Sequence, residues 1–132
     1  MNPPNPFFQE IVDAHIDIEQ WLSGRAEPDR LATLLNRFSP CFSMVTLQGL
    51  RLDRAAVDGL FSQGHGKRPG LRIEIDELHD IAAWRDGAVV GYRETQIDES
   101  GSCTVRRSTA VLACDESGCV TWRHLQETSV VS

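Results

Sequence analysis

Apolar positions follow two different spacings along the 132 residues of this chain, and the change from one to the other divides it. In the first part Phe8, Ile11, Ile18 and Leu22, with His15 in step among them, stand three and four residues apart. That is the repeat of one face of an α-helix. Asn5-Pro6 supplies a capping side chain and a residue suited to the first turn, and Gly24 supplies a left-handed stop. Pro28 opens a second helix through Leu31, Leu34, Leu35 and Phe38, halted by Ser39-Pro40. Residues 41–47 are apolar and β-prone and predict a short strand. Asp53 caps a third helix over 54–62 that turns Val57, Leu60 and Phe61 inward. A polar, glycine-rich loop follows at 63–70. Its Gly64-His65-Gly66-Lys67 is not a phosphate loop, because Phe61 and Arg68 occupy the places that need Gly and Ser or Thr.

From residue 71 onward the spacing is two, the alternation of half-buried strands. Four long strands are expected, roughly 71–84, 88–98, 102–114 and 118–129, in an antiparallel meander. Asp-Glu-Ser-Gly occurs at 98–101 and again at 115–118, and Asp86-Gly87 supplies a third turn. Setting Cys114 opposite Cys119 puts Val111 across from Trp122, Thr109 from His124 and Arg107 from Gln126. Arg106 then meets Glu127 on the other side, a favourable cross-strand pair. Extended through the other turns, the same register sets Tyr92 beside Arg107, Glu94 beside Val105 and His79 beside Glu94. One face thus collects Leu71, Ile73, Ile75, Val90, Val105, Val111 and Trp122. With them come Glu77, His79, Tyr92, Glu94, Arg107, Thr109, His124 and Gln126. The opposite face, with Arg72, Glu74, Asp76, Arg93, Arg106, Arg123 and Glu127, reads as wet or as an interface.

So many polar side chains on a core face demand an explanation, since buried polar groups are costly unless something pairs with them. A ligand-binding cavity is the explanation favoured here. His124 and Glu94 are the candidate bases, with Tyr92 or Arg107 to stabilise a developing oxyanion. Trp122 would pack on the apolar part of a ligand, and His15, Glu77, His79, Thr109 and Gln126 complete the expected lining. Convergence of His15, His79, His124, Glu77 and Glu94 on one face would suit a transition metal. No short ligand motif supports that, so no metal and no cofactor are expected.

Length and charge limit the alternatives. The chain suits a single domain, 1–132 with its core at about 6–129, long enough to bury a core without disulfides. A net charge of −6 argues against nucleic acid and anionic membrane as partners. No apolar run is long enough to span a bilayer. Residues 1–6 lack the basic and apolar regions of a leader, which makes the cytoplasm the expected location. Cys41, Cys103, Cys114 and Cys119 have no paired spacing and read as free thiols, although Cys114 and Cys119 would be close enough to bridge under oxidation.

The order of helix, helix, short strand, helix and long meander places helices on one face of an antiparallel sheet. With Phe42-Ser43-Met44-Val45-Thr46 and Trp122-Arg123-His124-Leu125-Gln126-Glu127-Thr128, the chain resembles the nuclear transport factor 2-like superfamily over about residues 6–129. The branch is that of small proteins near polyketide cyclases and ketosteroid isomerases. The resemblance implies an α+β, cystatin-like cone: N-terminal helices packed on a strongly curved mixed or antiparallel sheet, with a pocket at the wide end. It also implies a homodimer, often through the outer sheet face. The Tyr that ketosteroid isomerases carry on their first helix is absent, and that helix offers His15 instead. The expected function is small-molecule binding in a pocket of mixed lining. The alternatives are proton-transfer catalysis of the isomerase, cyclase or dehydratase type, or a dimerisation module without catalysis.

Overall fold

The structure is a computed structural model that describes residues 5–131; the stretch read for a leader therefore lies mostly outside the described residues. Helix α1 runs Pro6–Ser23. Its start is held by Asn5, whose Oδ1 accepts from the Phe7 and Phe8 amides at 2.9 and 3.1 Å, and its end by left-handed Gly24. The apolar face buries Ile11, Ala14, His15 and Trp21, and the Trp21 indole donates to the Phe61 carbonyl at 2.7 Å.

The second helix is shorter than the spacing predicts. A 3-10 turn at Pro28–Arg30 leads into α2, Leu31–Leu35, and strand β1 already begins at Phe38, spanning Phe38–Val45. Phe38 keeps the inward position that helical spacing assigned to it, but reaches it as a strand residue packed on Phe42. Strand β2, Arg51–Asp53, forms a hairpin with β1, and Asp53 caps α3, Arg54–Gly64, through the Ala56 amide. Val57 points into the core as expected, whereas Leu60 stands 59 % exposed.

The meander follows as β3 Arg72–Trp84, β4 Gly87–Ile97, β5 Cys103–Cys114 and β6 Val120–Ser129. The sheet order is β2-β1-β6-β5-β4-β3, antiparallel except where β1 lies parallel to β6. The helices cover one side of this curved sheet, with α1 against β3, β4 and β6 and α3 against β1. The expected α+β cone is therefore what the chain forms.

Register departs from expectation by one residue at two turns. Asp98 and Asp115 each close a three-residue loop: the Asp98 amide donates to Ser102 O at 3.0 Å, and Asp115 to Cys119 O at 3.0 Å. Gly101 and Gly118 take the left-handed conformation, at φ 89° and 88°. In each loop the aspartate Oδ1 accepts two backbone amides and a serine hydroxyl. A one-residue change turns every following side chain to the other face. Tyr92 consequently faces Ser108, Glu94 faces Arg106, and Cys114 faces Val120 rather than Cys119. All four cysteines are free.

Bulges add to the shift. On β6, Leu112 pairs with Trp122 but Val111 with His124, so Arg123 is the extra residue and Leu125 returns to the inner face. On β3, Asp76 pairs with Arg93 but His79 with Gly91, and Glu77 there adopts φ 55°. At the β3–β4 turn Trp84 pairs with Gly87, so Arg85 and Asp86 form the loop and Gly87 belongs to the strand.

Candidate functional site

The side covered by helices holds a partly open hollow of about 150 Å³ between α1, α3 and strands β1, β4 and β6. Most of its wall is apolar: Ile18 and Leu22 of α1, Val57 and Phe61 of α3, Phe38, Phe42 and Met44 of β1, and Trp122 and Leu125 of β6. Four polar side chains, His15, Glu94, Gln96 and Glu127, complete it. Each is there for a local reason. His15 lies one helical turn beyond Ile11 on the buried face of α1. Glu94 and Gln96 are alternate residues of β4, hence on one side. Glu127 is brought inside by the bulge at Arg123.

These side chains form a connected line. Imidazole Nδ1 of His15 donates to the Ile11 carbonyl at 2.8 Å, and Nε2 faces Glu94 Oε1 at 3.2 Å. Glu94 Oε2 accepts from Gln96 Nε2 at 2.7 Å, and Gln96 Oε1 accepts from Arg68 at 2.6 Å. With Nδ1 committed to a carbonyl, the proton between imidazole and carboxylate sits on Nε2 when the pair is charged. Burial pulls the His15 pKa down, but the Glu94 charge more than reverses this and raises it. Burial likewise pushes Glu94 up, and His15 with the Gln96 bond overcomes that, leaving it at about 2. Both directions describe one buried imidazolium–carboxylate pair.

Glu127 behaves differently. Its Oε2 meets Arg106 at 3.1 Å, yet burial dominates and its carboxyl titrates above the ordinary range. Behind this wall lies Tyr92, edge-on to His15 with ring centroids 5.5 Å apart. Burial, then the nearby Glu94 charge, push its phenol well above the usual value. Tyr92 Oη, Ser108 Oγ and Arg106 Nε are buried and have no hydrogen-bond partner among the described residues.

Of the residues singled out from the sequence, the structure brings His15, Glu94 and Trp122 to the hollow, with Tyr92 just behind. It does not bring the others. Arg107, Thr109, His124 and Gln126 lie on the outer face, through the longer turns and the β6 bulge. There His124 Nδ1 lies 2.9 Å from Ser43 Oγ. Glu77 and His79 are outside as well, with Glu77 Oε2 2.8 Å from Arg93 and Oε1 3.6 Å from Arg107. The three histidines thus do not converge. Among the described residues no group of three or more His, Cys, Asp or Glu is placed to hold a metal ion.

Glu127 and Arg106 lie on the inner side instead of the outer face that alternation predicts, and Gln96, Phe42 and Met44 join the wall without a signal of their own. A signal for Arg106 exists in the sequence: Asp-x-x-Gly followed by Ser or Cys suits a three-residue loop with the fourth residue left-handed, and that count reverses the β5 assignment.

Comparison with known proteins places this architecture. No family profile matches the sequence, and no curated protein matches it. Solved structures do. An NTF-2-like protein of unknown function from Pseudomonas aeruginosa is 46 % identical and superposes with a TM-score of 0.92, over 96 % of this chain and all of that one. An uncharacterized protein with a cystatin-like fold from Caulobacter vibrioides is 17 % identical, with a TM-score of 0.67 over 94 % of this chain and 89 % of its own. An NTF2-like protein of unknown function in nutrient uptake from Rhodospirillum rubrum is 16 % identical. Its TM-score is 0.68 over 92 % of this chain and 98 % of its own. The last two speak to the fold alone. No helix of the described residues is long and apolar enough to cross a membrane.

Proposed function

The chain belongs to the nuclear transport factor 2-like family, and from that premise we propose that its partly open hollow binds a small, mostly apolar molecule. The observation that carries the reading is the hollow itself: about 150 Å³, walled by aromatic and aliphatic side chains, with its polar groups gathered on His15, Glu94, Gln96 and Glu127. An apolar cavity of about 150 Å³ is large enough for benzene. Typical drug-sized sites are larger, at about 300–1,000 Å³. The part of the occupant held inside is accordingly a single ring or a short chain.

Toluene tests this directly. Ligand that binds only the folded state raises its stability by mass action, so toluene should raise the melting temperature and shift the Trp122 indole resonance. Val57→Phe, which projects a ring into the hollow, should abolish both effects while the variant remains folded by near-ultraviolet circular dichroism. No response from the wild-type chain at millimolar toluene would remove the reading.

Proton transfer on the bound molecule is the second reading, supported by Glu127, a wall carboxyl that faces the hollow and that burial holds above the ordinary carboxylate range. Hydroxyacetone in D₂O, followed by proton NMR, should exchange its C–H protons faster with the wild-type chain than with Glu127→Gln. Equal rates would leave binding alone. As a partner we propose a second copy of this chain on the outer sheet face, where Ile81 and Trp84 stand 55 % and 49 % exposed. Light scattering should show a dimer that Trp84→Glu dissociates.

A further inference from the structure

The hydrogen-bonding capacity left over on the polar wall can be counted side chain by side chain. His15 has no nitrogen to spare, since Nδ1 serves Ile11 O and Nε2 serves Glu94. Gln96 gives Oε1 to Arg68 and one of its two Nε2 protons to Glu94, which leaves a single N–H. Each Glu94 oxygen holds one partner and retains room for another. Glu127 holds Arg106 through Oε2, and its Oε1 takes no hydrogen bond from a described residue. Acceptors therefore outnumber donors, and they are carboxylate oxygens. The cations that balance them stand behind or are already spent: Arg106 does not line the hollow, and the imidazolium of His15 is turned to Glu94.

Resting on the reading of the hollow as a binding chamber, we propose that its ligand carries a hydrogen-bond donor at its polar end. The class is a single-ring or short-chain alcohol, phenol or amine, and not a carboxylate, phosphate or sulfonate. A hydroxyl or ammonium group entering with its apolar body against Trp122 and Phe42 meets Glu127 Oε1 and the open sites on Glu94 in charge-assisted bonds, which are the strong ones. An acid entering the same way brings a third anion against two carboxylates, and the cation in the wall, His15, is already paired with Glu94. That arrangement expels the ligand or forces a proton onto it.

Toluene, benzyl alcohol, benzylamine and benzoate share one ring and differ in the polar end, so they separate the two claims. With the full chain and the Trp122 indole resonance as readout, benzyl alcohol and benzylamine should bind about tenfold tighter than toluene, the scale of one hydrogen bond to a charged group. Benzoate should not bind at the concentration that saturates toluene. Glu127→Gln should shrink the preference for benzylamine over toluene by about fivefold or more.

Should that variant fail to fold, pH provides the same information in the wild type. Glu127 is faced by Arg106 from β5, Glu94 from β4 and His15 from α1, and it gains a proton before Glu94 as pH falls. Benzylamine affinity should then drop on acidification while toluene affinity holds. Benzoate binding as tightly as benzyl alcohol overturns the donor preference and leaves the chamber standing. If none of the four binds, toluene included, both fall together.

Discussion

The two faces of the β3–β6 sheet use the same residue types for different ends. On the inner face His15 and Glu94 are paired with side chains only 7 % and 4 % exposed, and a further amide and an arginine extend the line. On the outer face Arg93 is paired with Asp76 and Glu77 with side chains 38 %, 53 % and 45 % exposed. Water already solvates the outer charges, so their pairing adds little and is screened by salt. The inner charges have left water, so each depends on the other, and loss of one strands its partner. Depth rather than ion-pair chemistry sets what a residue is worth here.

The sharpest test of that contrast is the residue at the centre of the inner face. Trp122 is 2 % exposed, packs on Phe38 and His15, and donates its indole N–H to Glu10 at 3.1 Å. Trp122→Ala should cost about 3–5 kcal/mol in urea unfolding, the range for removing a large buried side chain. His124→Ala, two positions along the same strand on the outer face, should stay within about 0.5 kcal/mol. A comparable loss at both positions would mean that the two faces do not differ as described.

The buried pair comes next in size and has a signature in pH. His15→Ala should cost about 3 kcal/mol near pH 6, because it leaves Glu94 ionised without its counter-charge. The carboxylate is depressed to about 2 from 4.5, so its contribution is present above 4.5 and is lost as pH falls toward 2. The imidazole is raised, so its contribution is present below 6.5 and is lost as pH climbs through the folded value. Wild-type stability should therefore fall away on both sides of a window from about pH 4.5 to about pH 6.5. The difference between wild type and His15→Ala should shrink outside it. A difference that is flat from pH 3 to pH 9 would show that the loss is packing alone.

Elements and fold class are legible in the sequence because they rest on spacings and caps that act locally. Asn5, Gly24 and Asp53 do in the structure what their side chains or their absence of one predict. Inner and outer faces are legible only as far as each turn can be counted. Val90, Tyr92 and Glu94 on β4 face inward as expected, and so does Trp122 on β6, whereas β5 is reversed because Ser102 and Cys119 close loops one residue longer. Beyond Trp122 the fault is a bulge, and nothing about Arg123 in isolation marks it as the residue to be left over. Its reason is tertiary: both Trp122 and Leu125 reach the core, and two residues between them are accommodated only by interrupting the alternation. His15 is legible from its place in a helical stripe, but its partner Glu94 comes from a strand nearly 80 residues away.

The smallest expected effect separates two glycines of the outer face that look equivalent in sequence. At Gly87 an added Cβ would lie 2.6 Å from the Trp84 ring and 2.7 Å from the Leu112 carbonyl oxygen. A backbone atom cannot swing aside, so Gly87→Ala must displace β4 from β5 and should cost about 1–3 kcal/mol, as overpacking does. At Gly91 the added Cβ would lie 2.6 Å from the His79 imidazole, with the Ile81 methyl next at 3.3 Å. His79 is an exposed side chain on the edge strand, held by one bond from its ring to the Glu77 carbonyl at 2.9 Å. It can rotate into water, and a Gly in a strand interior is itself a weak point. Gly91→Ala should therefore change stability by no more than about 0.5 kcal/mol, in either direction. If Gly91→Ala proves as costly as Gly87→Ala, His79 is fixed by something on the outer face that a lone chain does not show. A second copy seated over β3 would be the first occupant to look for, by repeating the measurement across protein concentration, since only a shared interface makes the loss depend on it.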